Sequence, residues 1–80
     1  GISGCVVDTT RCLIPAILSG ASGVILCHNH PSGSPNPSSA DKILTQNLNK
    51  AFETIEIPLL DHLIVTNSGM YYSFADESEL

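Results

Sequence analysis

The apolar and polar positions along the chain mark out a succession of elements. Residues 3–7 (SGCVV) read as a short strand, closed by the polar Asp8, Thr9 and Thr10. Within residues 11–20 (RCLIPAILSG), Leu13, Ile14, Ile17 and Leu18 recur at the spacing of a helical apolar stripe. Pro15 interrupts that pattern, so the helix is short or kinked unless Pro15 falls in its first turn. Gly20 supplies a C-terminal cap. Residues 22–28 (SGVILCH) form a continuous apolar run bounded by Gly and polar residues, which predicts a central buried strand. A turn-rich loop follows, stiffened by Pro31, Pro35 and Pro37. From Ser39 to Ile55, Leu44, Leu48, Ala51 and Ile55 recur at i, i+4, i+7 and i+11, which predicts an amphipathic helix ending before Pro58. Residues 59–66 (LLDHLIVT) predict a strand, Asn67-Ser68-Gly69 a turn, and Met70–Phe74 a strand pairing back. Tyr71, Tyr72 and Phe74 read as packing residues of that hairpin, and the tail from Ala75 to Leu80 is acidic.

The succession strand, helix, strand, helix, hairpin argues for an α/β domain with a mixed sheet. At 80 residues the chain makes one small domain at most. Hydrophobic residues make up 42% and charged residues only 14%, which suggests a surface partly covered by more chain or by a partner. The formal net charge is -5, and the basic residues are Arg11, Lys42 and Lys50. Displacing counterions from nucleic acid needs clustered Lys and Arg, so no direct nucleic-acid binding is expected from this segment. Cys5, Cys12 and Cys27 are odd in number and fit no C-x-x-C spacing, which is read as buried free thiols in a reducing cytoplasm. No apolar run approaches the roughly 20 residues that cross a bilayer.

The chemistry is concentrated in His28-Asn29-His30-Pro31-Ser32-Gly33, followed by Ser38 and Asp41. Strand alternation puts His28 and His30 on one face and Cys27 and Asn29 on the other, so two imidazoles can chelate one metal ion while Cys27 points away. Asp41, one turn into the next helix, is the candidate third ligand. Two His and one carboxylate leave the fourth position of a tetrahedral zinc open to water, the layout of a catalytic rather than a structural site. Ser38-x-x-Asp41 before an apolar helix is equally a capping box, and spacing alone leaves both readings open. Within Leu60-Asp61-His62-Leu63, His62 is expected to support the site or to be hydrogen-bonded in the core rather than to bind a metal directly. Gly33 is expected to take a positive φ in the turn after the His pair.

His28, His30, Ser38 and Asp41 follow the pattern H-x-H, seven residues, S, two residues, D. This resembles the JAMM motif of JAB/MPN metalloproteases, and HNHPSG, LLDHLIV and YYSF resemble the RadC branch of that family, over nearly the whole chain. The resemblance implies a cytidine-deaminase-like mixed sheet flanked by helices, with residues 1–80 as the C-terminal part of a single domain whose N-terminal strand lies outside this chain. It implies that His28, His30 and Asp41 ligate Zn2+ and that Ser38 holds the water or stabilises the oxyanion formed on attack of a peptide or isopeptide bond. The partners implied are a peptide or protein substrate, with a second copy of the chain able to pair through an open sheet edge. The family carries a historical DNA-repair label, which nothing in these residues supports. JAMM enzymes use an upstream glutamate as general base; here Glu53, Glu56, Glu77 and Glu79 all lie downstream of the His pair and Asp8 is the acid before it. The expected protein is therefore a zinc-competent but catalytically incomplete segment, or, alternatively, a non-catalytic binding module of the same fold.

Overall fold

A computed structural model describes residues 9–80. The strand expected over residues 3–7, with Cys5 and Asp8, lies outside the described residues. The described elements are α1 (Thr9–Leu18), β1 (Val24–Asn29), α2 (Ser39–Thr54), β2 (Leu59–Val65) and β3 (Tyr71–Ser73). The strands form one sheet in the order β1-β2-β3, with β1 parallel to β2 and β2 antiparallel to β3. The mixed sheet is as expected. The parallel pair requires a crossover, which α2 provides.

The local chemistry behind these elements is mostly visible. Pro15 lies inside α1 past its first turn. The helix then closes with Gly20 at φ 66, the Gly20 amide donating to the Ile17 carbonyl and the Ala21 amide to the Ala16 carbonyl. Those two bonds make a Schellman cap, which only a residue tolerant of positive φ can complete. α2 ends the same way, but with Glu56 at φ 60 in the glycine position; Glu56 donates to Glu53 and Ile57 to Phe52.

The core joins α1, α2 and the start of β2 through Cys12, Ala16, Leu48, Phe52 and Leu59. Several sequence expectations change here. The buried side of α1 is Cys12 and Ala16, with Leu13 of the expected stripe packed against the core, while Ile14, Ile17 and Leu18 are exposed. The fully buried face of α2 is Asp41, Thr45, Leu48 and Phe52; of the expected stripe Leu48 lies on it, while Leu44 and Ile55 pack partly buried against the core. Among the described strands β2, not β1, is the central one, and β1 has one face turned out, with Ile25 60% exposed. Cys27 lies on that outer face and is exposed, against the expectation of a buried thiol; Cys12 is buried. In the hairpin Phe74 is fully buried and Tyr72 partly so, whereas Tyr71 is exposed and does not pack.

A register shift between Val24 and Ile25 opposite Leu59–Asp61 accounts for one further detail. It turns Leu59 into the core and Leu60 outward, over Gly23, where a Cβ would meet the Leu60 side chain at 2.8 Å. No helix among the described residues is long and apolar enough to cross a membrane.

Candidate metal centre

The site forms where the end of β1 meets the start of α2. His28 is the penultimate residue of β1, and the strand pairing continues one step further, the His30 amide donating to the Val65 carbonyl at 2.9 Å. Both rings therefore emerge on one side, with centroids 4.7 Å apart at 90°. The chain then reverses over Pro31 and Ser32, the Gly33 amide bonding back to the His30 carbonyl with Gly33 at φ 87. Proline fixes one turn residue and glycine supplies the positive φ that a side chain would oppose. After the remaining prolines the chain enters α2 at Ser38.

Ser38 caps α2 in full. Its Oγ accepts from the Asp41 amide at 3.0 Å, and its own amide donates to Asp41 Oδ2 at 2.8 Å. The capping reading thus holds, and it does not displace the ligand reading. The same bonds aim the Asp41 carboxylate at the histidines, with Oδ2 3.1 Å from His30 Nε2 and Oδ1 3.6 Å from His28 Nδ1. One donor atom each from His28, His30 and Asp41 converge within 4.8 Å of one another, a group that could bind a metal ion. Burial works against ionisation of Asp41, but the Ser38 hydrogen bonds, with His28 and His30 nearby, outweigh it and hold the carboxyl below its ordinary 3.8. The group is an anion at neutral pH, as a ligand must be.

Two features fit a cation between these groups. His28 Nδ1 is buried and has no hydrogen-bond partner, and an orphaned buried nitrogen costs about 1–3 kcal/mol. His30 Nδ1 lies 3.0 Å from the Ser34 carbonyl, which can only accept, so Nδ1 carries the proton. A neutral ring in that tautomer turns the lone pair of Nε2 toward Asp41 Oδ2. Acceptor then faces acceptor, and either a second ring proton or a metal ion between them makes the contact favourable. The Ser34 carbonyl is the kind of outer partner that fixes the tautomer of a metal-binding histidine.

His62, on the central strand, completes the surroundings. Its ring lies nearly parallel to Phe74 at 4.9 Å and to His28 at 5.9 Å. Its Nδ1 is 2.7 Å from Thr45 Oγ1, and that hydroxyl donates to the Asp41 main-chain carbonyl at 2.8 Å. Since the single hydroxyl proton is committed to the carbonyl, His62 Nδ1–H is the donor to Thr45. Burial, with His28 beside it, pushes His62 below its ordinary 6.5. The ring is therefore neutral near pH 7. Thr45 was not among the sequence candidates. The signal that could have found it is its place four residues after Asp41, on the same helical face.

Cys27 stays on the opposite face of β1, away from the cluster. Glu53, Glu56, Glu77 and Glu79 are all exposed, and none joins the metal-binding group.

Comparison with known proteins bears on this arrangement. A family model described as a RadC-like JAB domain matches residues 1–80. A UPF0758 protein of Flavobacterium johnsoniae is 49% identical over 77 residues, covering 96% of this chain and 33% of the relative. A UPF0758 protein of Porphyromonas gingivalis is 44% identical over 80 residues, covering 100% and 35%, and one of Thermotoga maritima is 51% identical over 65 residues, covering 81% and 29%. The chain spans about a third of the length of these curated relatives.

Proposed function

Since the chain belongs to the RadC-like JAB domain family, we propose that His28, His30 and Asp41 hold one zinc ion and that the site hydrolyses peptide or isopeptide bonds. The observation that carries this reading is the convergence of the two imidazoles and a carboxylate around a buried, unpartnered His28 Nδ1. Zinc, when bound there, supplies Lewis acidity and lowers the pKa of a water toward ~7. The chain's own residues then have distinct tasks. The Ser38 and Ser34 backbone contacts orient Asp41 and His30 before any ion arrives, which lowers the ordering cost of binding. Ser38 Oγ, which accepts from the Asp41 amide, keeps its own O–H to donate. That proton is available to the water or to the carbonyl oxygen that gains charge on attack.

The JAMM resemblance implies an upstream glutamate as general base, whereas the glutamates of the described residues are exposed and stand apart from the cluster. That same observation favours a second reading, a non-catalytic binding module that keeps the fold and the ion. In either case the occupant is the ion, and the first test is its stoichiometry. Elemental analysis and competition with a chromogenic chelator should give close to one zinc per chain, with Asp41→Ala losing roughly 100-fold or more in affinity, above the range for outer partners. A folded wild-type protein that takes up no zinc would sink the proposal. Chelator-sensitive peptide cleavage by the intact natural protein separates the hydrolase from the binding module.

A further inference from the structure

His62 is the side chain that touches both halves of the cluster. Its ring lies against His28 on β1, 5.9 Å between centroids and 14° from parallel, while Phe74 flanks it at 4.9 Å and 8°. Through Thr45 it reaches the main chain of Asp41, by hydrogen bonds of 2.7 and 2.8 Å. Both His62 and Thr45 are buried, at 2% and 0% exposure, so neither serves solvation. A phenyl ring at position 62 would supply the stack, but only a donor at the Nδ1 position can also engage a hydroxyl already committed to the Asp41 carbonyl. Thr45 likewise needs its hydroxyl, since valine would fill the same volume without accepting from His62.

We propose that His62 and Thr45 form a positioning pair that sets the His28 ring and the first turn of α2 in the relative orientation that metal binding requires. This inference rests on the metal-site reading above. His62 is a positioning residue and not a ligand: its Nδ1 is occupied by Thr45, and His28, His30 and Asp41 form the convergent group without it. The pair acts on two elements at once, which a bond confined to one element cannot do. A shift of the His28 ring or of Asp41 changes donor directions at the ion, and outer partners of this kind are typically worth 10–100-fold in metal affinity.

The test uses the intact natural protein loaded with cobalt(II), whose visible d–d bands report ligand geometry independently of activity. Thr45→Val and His62→Phe should each weaken cobalt affinity about ten-fold and shift the bands, while Thr45→Ser, which restores the hydroxyl, should return both toward wild type. Thr45→Val keeps shape and burial, so it keeps the test decisive if His62→Phe does not fold. Unchanged bands and affinity in folded Thr45→Val overturn the inference and leave the metal site standing, as does a Thr45→Ser protein that behaves like Thr45→Val. A folded wild type that takes up no cobalt removes the site itself, and the positioning role with it.

Discussion

Along the buried face of α2, Asp41 and Thr45 occupy the first half and Leu48 and Phe52 the second. Both halves are buried, yet they are held by different physics. Leu48 and Phe52 are fully buried among Cys12, Ala16 and Leu59, where removal of apolar surface from water drives the packing. Asp41 and Thr45 are buried as polar groups, each of which must be satisfied in return, and the satisfaction is incomplete at His28 Nδ1. One half of the helix face therefore stabilises the fold, and the other half spends part of that stability on a pre-arranged cluster.

The largest effect expected from this contrast is at Phe52. Phe52→Ala should destabilise the protein by about 3–5 kcal/mol, seen as a lower urea midpoint, while the remaining folded molecules keep wild-type zinc affinity. A large loss of affinity without loss of stability would break the distinction between the two halves.

Asp61 tests whether a polar group with no part in the cluster can stabilise. Its carboxylate accepts from Ser73 Oγ at 2.6 Å, from the His62 amide at 2.7 Å and from the Ala75 amide at 3.0 Å, tying β2 to the end of β3. Burial opposes its ionisation, but these bonds outweigh burial and hold the carboxyl below its ordinary 3.8. The folded value is the depressed one. The stability is therefore fully present above the unfolded value and is lost as pH falls through the folded value. Asp61→Asn should cost about 2 kcal/mol near neutrality, and urea midpoints of the two proteins should converge as pH falls below 3.8 and through the folded value.

Ser38 sits where the two kinds of energetics meet. Ser38→Ala should cost about 1 kcal/mol through the lost cap. It should also weaken zinc binding, because Asp41 is then less firmly aimed; calorimetric titration alongside thermal melts reads both. The smallest effect belongs to the far end of α2, where Glu56 holds φ 60 in a position that suits glycine. Glu56→Gly should stabilise by about 0.5–1 kcal/mol with zinc affinity unchanged. Any change in affinity there would mean that the two ends of the helix are coupled.

Much of this was readable without coordinates because it is local. Gly20 as a cap, Gly33 in the turn, the Ser38-Asp41 box and the shared face of His28 and His30 each depend on residues a few positions apart, whose φ, ψ and hydrogen bonds carry their own preferences. The H-x-H to Asp spacing carried the ligand candidates for the same reason, since the prolines leave that loop little freedom.

What the tertiary structure decided was which surfaces meet. Single-sequence periodicity picks out only part of the buried faces of α1 and α2, because residues of similar character lie on adjacent faces and the partner chooses between them. Ile14, Ile17 and Leu18 are as apolar as Cys12, Leu13 and Ala16, yet only the latter three lie against the core built on Leu48 and Phe52. Thr45 reads as an ordinary helical residue until His62 arrives from seventeen positions away to accept its company. A side chain's local preferences are written in its neighbours along the chain, but burial and pairing are properties of two surfaces, and the second surface comes from elsewhere in the fold.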